Sequence, residues 1–336
     1  MLTLSLRSCA KLSVWHISAH PRKTWGLLFM GAWGTGLYSS DFATDLRAII
    51  TAVSRLPLDE EGLVEAICHA EKSAAENLVD EDHTVFWLVL ADQFEKRGIF
   101  SARVRDVALA IIDGGRDAAM MQKLGMKPAD RRRRAVNLEE LRARIVAQPV
   151  VSKPRRTLQR PEPYVFEPGG VCAYPTRGGD PINPYVSPKR FDRANWGPDG
   201  FGLMLIVGRG RAFDYLAWYH AVTSIEVVSS IPDLTKLVDE IRWGLPIYGT
   251  CNRAHFRKLE LVEIGIFTLD QARLDHFFPH LAPGTVFAIQ DISIANGMRI
   301  RGRDARPRRW RRPDGKLEVI VYPPPPTIRD LMGSAV

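Results

Sequence analysis

The chain changes its hydrophobic period partway along, and that change limits the folds open to it. Up to residue 147 apolar residues recur at helical spacing; after 164 they come in short β-branched or aromatic runs set between glycines and prolines. Phe42, Leu46, Ile49, Ile50 and Val53 fall at i, i+4, i+7, i+8 and i+11, one face of a helix. Ser39 or Ser40 is placed to cap it, Asp41 and Asp45 suit the positive end of its dipole, and Pro57 stops it. The same reading predicts helices over about 59–76, 82–97, 101–114, 117–124 and 128–147. The helix over 82–97 is apolar on most sides, which makes it the central one, and Gly98 is a natural residue to end it.

Beyond 164 the runs 171–174, 202–207, 213–222, 245–248, 259–267, 286–294 and 317–322 read as strands. Helices over about 232–242 and 269–278 interrupt them, the second opened by Thr268 with Gln271 in a capping box. Gly208-Arg209-Gly210-Arg211 reads as a hairpin turn carrying exposed arginines. Four prolines in 148–163 read as a semi-extended linker, where trypsin would cut first. The predicted class is α+β: an α-helical domain at 30–147, the Pro/Arg linker at 148–163, and a mixed β-sheet or small-barrel domain with two helices at 164–326, followed by a tail at 327–336. Residues 1–29 have no helical or strand period and are expected to lie outside the fold, as an extension upstream of a true start at Met30.

Met30-Gly31-Ala32-Trp33-Gly34-Thr35-Gly36, followed by Leu37-Tyr38 and the acidic helix start at Asp41, resembles the opening of an uncharacterised bacterial domain family. The resemblance implies that Gly31, Trp33, Gly34, Gly36 and Asp41 form a structural motif ahead of an Ala/Glu-rich helical region, and it brings no activity with it. Gly169-Gly170-Val171-Cys172-Ala173-Tyr174-Pro175, with the strand near 201–207, is similar to barrel-like domains of bacterial toxin-neutralising immunity proteins, which implies a binding role for the C-terminal half.

The net charge of +8 is local. Residues 299–316 hold nine Lys/Arg against Asp304 and Asp314, or +7, and residues 1–29 hold four with no acid, or +4, so the remainder is 8 − 7 − 4 = −3. Four widely spaced cysteines, Cys9, Cys68, Cys172 and Cys251, argue for reduced thiols and a cytoplasmic protein. No apolar run reaches the roughly 18 residues of a membrane span.

No metal set and no cofactor motif emerges. Cys68-His69 read as a core thiol beside a surface imidazole, and Pro279 disrupts the helical spacing that His276 and His280 would need to share a metal. Arg131–134 read as a solvated charge run. Cys251 and His255 form the one nucleophile-and-base pair an enzyme could use, without a third orienting group in local view. The sharpest feature is the arginine segment: Arg299, Arg301, Arg303, Arg308, Arg309, Trp310, Arg311 and Arg312. Its chemistry fits an acidic protein partner or a nucleic acid, and it equally fits a charged edge hairpin turned by Pro313-Asp314-Gly315. The slightly acidic remainder disfavours a long polyanion, so the expectation is a non-enzymatic interaction protein with an acidic protein partner, with nucleic-acid binding as the alternative.

Overall fold

The structure, a computed structural model, describes residues 34–182, 196–278, 293–300, 308–311, 317–320 and 323–333; for 308–311 and 317–320 it describes the backbone alone. The chain divides into two compact units, Met1–Leu28 with Arg306–Val321, and Phe29–Ala305 with Tyr322–Val336. Gly31, Trp33, the 1–29 extension, Arg301, Arg303, Arg312, His280, nearly all of the strand expected at 286–294 and the 313–315 turn lie outside the described residues.

The class is α+β. In the larger unit seven helices come first: α1 Asp41–Val53, α2 Glu60–Ala70, α3 Lys72–Glu76, α4 His83–Arg97, α5 Ala102–Asp113, α6 Arg116–Lys123 and α7 Pro128–Ala147. Ser40 caps α1, its hydroxyl accepting from the Ala43 N–H at 3.2 Å. The helix expected over 59–76 breaks at Glu71, whose φ of −130° and ψ of 54° separate α2 from α3. Helix α4 is central as expected, with every residue from His83 to Phe94 buried. Gly98 ends it at φ +65°, a left-handed conformation that L side chains rarely adopt.

The second half contributes strands β1 Gly170–Arg177, β2 Asp180–Pro181, β3 Gly200–Ala212, β4 Leu216–Ser224, β5 Trp243–Thr250 and β6 Val262–Ile266. They form one antiparallel sheet ordered β2-β1-β3-β4-β5, with β6 also on β1. Register shifts in the β1–β6, β3–β4 and β4–β5 pairs add twist and let the sheet curl. Both faces are covered. Cys172, Tyr174, Met204, Ile206 and Tyr219 pack into one core, while Val171, Ala173, Leu203, Leu205 and Trp243 pack into another. Double burial is why these strands read as nearly unbroken apolar runs instead of alternating. Tyr174 lies opposite Gly202, and its ring occupies the space a Cβ there would take. Its hydroxyl donates to the Met298 carbonyl at 2.6 Å.

Four short helices complete the described fold: α8 Leu234–Asp239, α9 Arg253–Lys258, α10 Gln271–Phe277 and α11 Ile328–Leu331. Asp270 caps α10, accepting from the Arg273 N–H at 2.9 Å, in place of the expected Thr268. The strand expected at 259–267 is β6, shorter at both ends; ahead of it lies α9, which Asn252 caps with its side chain on the Ala254 and His255 N–H groups. Ile328 and Leu331 are fully buried beside Leu237 and Leu274, so the segment after 326 is part of the core.

The hairpin turn also differs from expectation. Gly208–Arg211 continue strand β3, and the turn falls at Phe213 and Asp214, with φ of 50° and 60° and the Tyr215 N–H bonded to Ala212 O at 3.2 Å. The hairpin end reaches into the helical core: Ala212, Leu216 and Trp218 belong to the same buried cluster as Leu46, Phe86 and Leu141. Residues 149–168 contain no helix or strand and are tied down along their length. Lys153 N–H bonds to Gly98 O at 2.8 Å, Leu158 N–H to Arg55 O at 2.7 Å and Glu162 N–H to Tyr215 O at 2.8 Å. The Arg155 guanidinium donates to the carbonyls of Ser54 and Leu58, and Arg55 pairs with the buried Glu162 at 2.9 Å.

In the smaller unit the described residues form a two-stranded antiparallel ribbon, β7 Arg308–Arg311 with β8 Leu317–Ile320. Arg308 lies opposite Ile320, Arg309 opposite Val319, Trp310 opposite Glu318 and Arg311 opposite Leu317.

Candidate functional site

Three places carry chemistry. The first is the arginine segment, which the structure divides. Arg299 belongs to the larger unit, where its guanidinium pairs with Asp180 at 2.9 Å and the next residue, Ile300, bonds to Gly179 O at 2.8 Å. Arg308, Arg309, Trp310 and Arg311 belong to the smaller unit as one strand of the ribbon. Alternation along a strand puts positions 308 and 310 on one face of the ribbon and 309 and 311 on the other.

The second is the neighbourhood of the glycine-rich opening. Gly34 and Gly36 make a tight turn against Ser39, and Asp41 is the exposed first residue of α1. The segment after them is held between α4 and α7. Arg134 donates to Gly36 O at 3.0 Å and Asn137 to Thr35 O at 3.1 Å. The Tyr38 hydroxyl donates to the Asp92 carboxylate and accepts from Gln93. Asp92 also accepts from Lys96 and from Arg144, each at 2.7 Å. Burial pushes the Asp92 carboxyl up, but the bonds from Lys96, Tyr38 and Arg144 outweigh it and hold the group below its ordinary range. Burial, with Asp92 adding to it, raises the Tyr38 phenol. A cavity of about 250 Å³ opens beside this network, lined by Gly36, Leu37, Tyr38, Lys96, Asn137 and Arg144 among others.

Sequence reasoning missed two members of this site. Arg134 stands within the Arg131–134 run that reads as solvated, yet it is buried, with Nε and Nη2 on Asp117 at 2.7 and 2.8 Å. The signal was available: Arg134, Leu138, Leu141 and Ile145 share one helical face, so one cation of the run had to face the core. Asp92, a lone acid inside an apolar run, required cationic partners for the same reason.

The third place is Cys251 with His255. Cys251 is fully buried at the end of β5, and its thiol is pushed up to about 12 by burial, with Cys172 and Glu162 adding to it. His255 on α9 is held below its ordinary value by burial and by Lys258. Glu162, from the segment after the helices, adds a smaller electrostatic effect on both groups and is itself paired with Arg55 at 2.9 Å. A nucleophilic thiol needs a lowered pKa and access to solvent, and Cys251 has the reverse of both. Cys68 and Cys172 are likewise buried free thiols with raised pKa values, and His69 is exposed, as read. Among the described residues no three His, Cys, Asp or Glu side chains gather in a metal-binding group, and no helix is long and apolar enough to cross a membrane.

No family model matches this chain, no curated protein matches it, and no solved structure matches its fold.

Proposed function

We propose that this chain is a non-enzymatic, cytoplasmic interaction protein that docks an acidic protein surface through the ribbon of Arg308–Arg311 and Leu317–Ile320. The observation that carries the reading is the ribbon itself. Three arginines and a tryptophan stand in four consecutive strand positions of the smaller unit. Arginine and tryptophan are the residues most enriched at the centres of protein interfaces. The likeness of 169–175 to immunity-protein strands supports a toxin-neutralising or defence-associated role for this chain. The buried, proton-holding Cys251 supports the non-enzymatic part.

The test pairs two measurements on the full chain. Affinity purification from the native cell, with nuclease treatment and mass spectrometry, is expected to recover one acidic protein with the wild type and to lose it with Trp310→Ala. Binding of single-stranded DNA or RNA is expected to stay weak and indifferent to Trp310→Ala. The nucleic-acid alternative predicts the reverse. Five or six phosphate contacts would make affinity fall by on the order of a hundredfold or more between about 50 and 200 mM salt. Losing the Trp310 stack would then cost a further ~1–3 kcal/mol. Tight, Trp310-dependent binding of nucleic acid at physiological salt overturns the proposal.

A further inference from the structure

The cavity beside Tyr38 is lined by two kinds of surface. Leu37, Leu138 and Leu141 form an apolar wall, and Lys96, Arg144 and Asn137 supply polar groups. The hydrogen bonds leave donor capacity on the polar side. Lys96 has three N–H donors and one bond to Asp92; Arg144 uses Nη1 on Glu95 and Nη2 on Asp92 and keeps Nε. Arg47 lies 5.3 Å from the Tyr38 ring centre and Lys96 5.5 Å, and among the described residues no carboxylate pairs with Arg47. Burial, and to a lesser degree the nearby Arg47, lowers the Arg97 guanidinium. At about 250 Å³ the space exceeds a bare oxyanion and falls below the roughly 300–1,000 Å³ of drug-sized sites.

We propose that this cavity binds a small organic oxyanion, a carboxylate or phosphomonoester with a short aliphatic body, Lys96 and Arg144 holding the head and the three leucines covering the body. The site is independent of the ribbon: it belongs to the helices and would bind whether or not the ribbon has a partner.

The experiment uses the full chain at constant ionic strength, with calorimetric titration and thermal melting. The probes are acetate against butyrate and inorganic phosphate against n-propyl phosphate, so that the two head groups are told apart. In at least one pair the longer member is expected to bind about tenfold tighter, the worth of two or three buried methylenes reduced by partial exposure. Lys96→Met is expected to weaken binding tenfold or more. Because Lys96 also supports Asp92, a second variant is needed. Asn137→Trp sits at an exposed position, narrows the cavity at the loss of one hydrogen bond to Thr35, and is expected to abolish binding while the protein still melts cooperatively as a folded chain. If none of the four probes binds, if body length makes no difference, or if Asn137→Trp binds as the wild type does, the proposal is wrong.

Discussion

Arg134 and Asp117 form a two-pronged ion pair, at 2.7 and 2.8 Å, with both side chains almost wholly withdrawn from water, 4 % and 2 % exposed. The pair joins α6 to α7, and the remaining guanidinium nitrogen reaches Gly36 O. Breaking one partner leaves a buried charge without compensation. Arg134→Met is therefore expected to cost about 3–5 kcal/mol. The double variant Arg134→Met/Asp117→Leu should recover part of that loss, because it leaves neither charge stranded. Chemical denaturation of the three proteins measures this; a double variant no better than the single one would show that the Gly36 contact matters more than the pair.

The turn at Phe213-Asp214 holds two non-glycine residues at positive φ. Asp214 is exposed at the tip, so its strain is not repaid by packing there. Asp214→Gly is expected to raise stability by roughly 0.5–1 kcal/mol, since glycine adopts that conformation freely. Phe213→Gly should destabilise instead, because Phe213 packs against the helical core. Thermal melts of the two variants should move in opposite directions.

The segment 148–163 looks like an exposed linker in the sequence, but its backbone is bonded at Lys153, Leu158 and Glu162 and its Arg155 is engaged by the carbonyls of Ser54 and Leu58, just after α1. Limited trypsin digestion is expected to spare Arg155, Arg156 and Arg160 until the helices loosen, since cleavage needs a locally unfolded stretch. Glu162→Gln, which weakens the bond to Arg55, should make those sites the first to be cut. Early cutting there in the wild type would show that these bonds open readily.

Burial holds His220 down to about 4 and lowers His255 and His83 as well. A histidine depressed in the folded state stays neutral there while its unfolded counterpart takes a proton below about 6.5. The stability is present above that value and is lost as pH falls from about 6.5 towards 4. Asp45 has the opposite sign: burial and Asp41 raise it to about 6, so the stability it gives is present below its unfolded value near 4 and fades as pH rises through 6. His220→Gln is expected to flatten the acid limb of the stability profile, and Asp45→Asn to stabilise the protein at pH 7–8 with little effect at pH 4. Urea denaturation between pH 4 and 8 would detect both; unchanged slopes would refute them.

Local signals in this chain are ones a single segment can satisfy by itself. The stripe from Phe42 to Val53, the all-apolar α4, Gly98 after it and the Ser40 cap depend on residues within a few positions of one another, and each was legible. The switch from helical spacing to strand runs likewise determined the α+β class. Tertiary structure decided what depends on partners far along the chain. Arg134 is solvated or buried according to whether Asp117 lies beside it, 17 positions away. Gly208–Arg211 make a turn or a strand according to whether β4 pairs alongside them, and the β4 register moves the turn to Phe213. Residues 149–168 are free or fastened according to whether Arg55, Gly98 and the hairpin offer carbonyls to them. Tyr38, Asp92 and Arg144 are spread over more than a hundred positions, and only the packing of α4 against α7 makes them one site. A charge or an unpaired backbone group is costly to bury wherever it sits, so its place follows from which partner arrives, and no short stretch of sequence contains that partner.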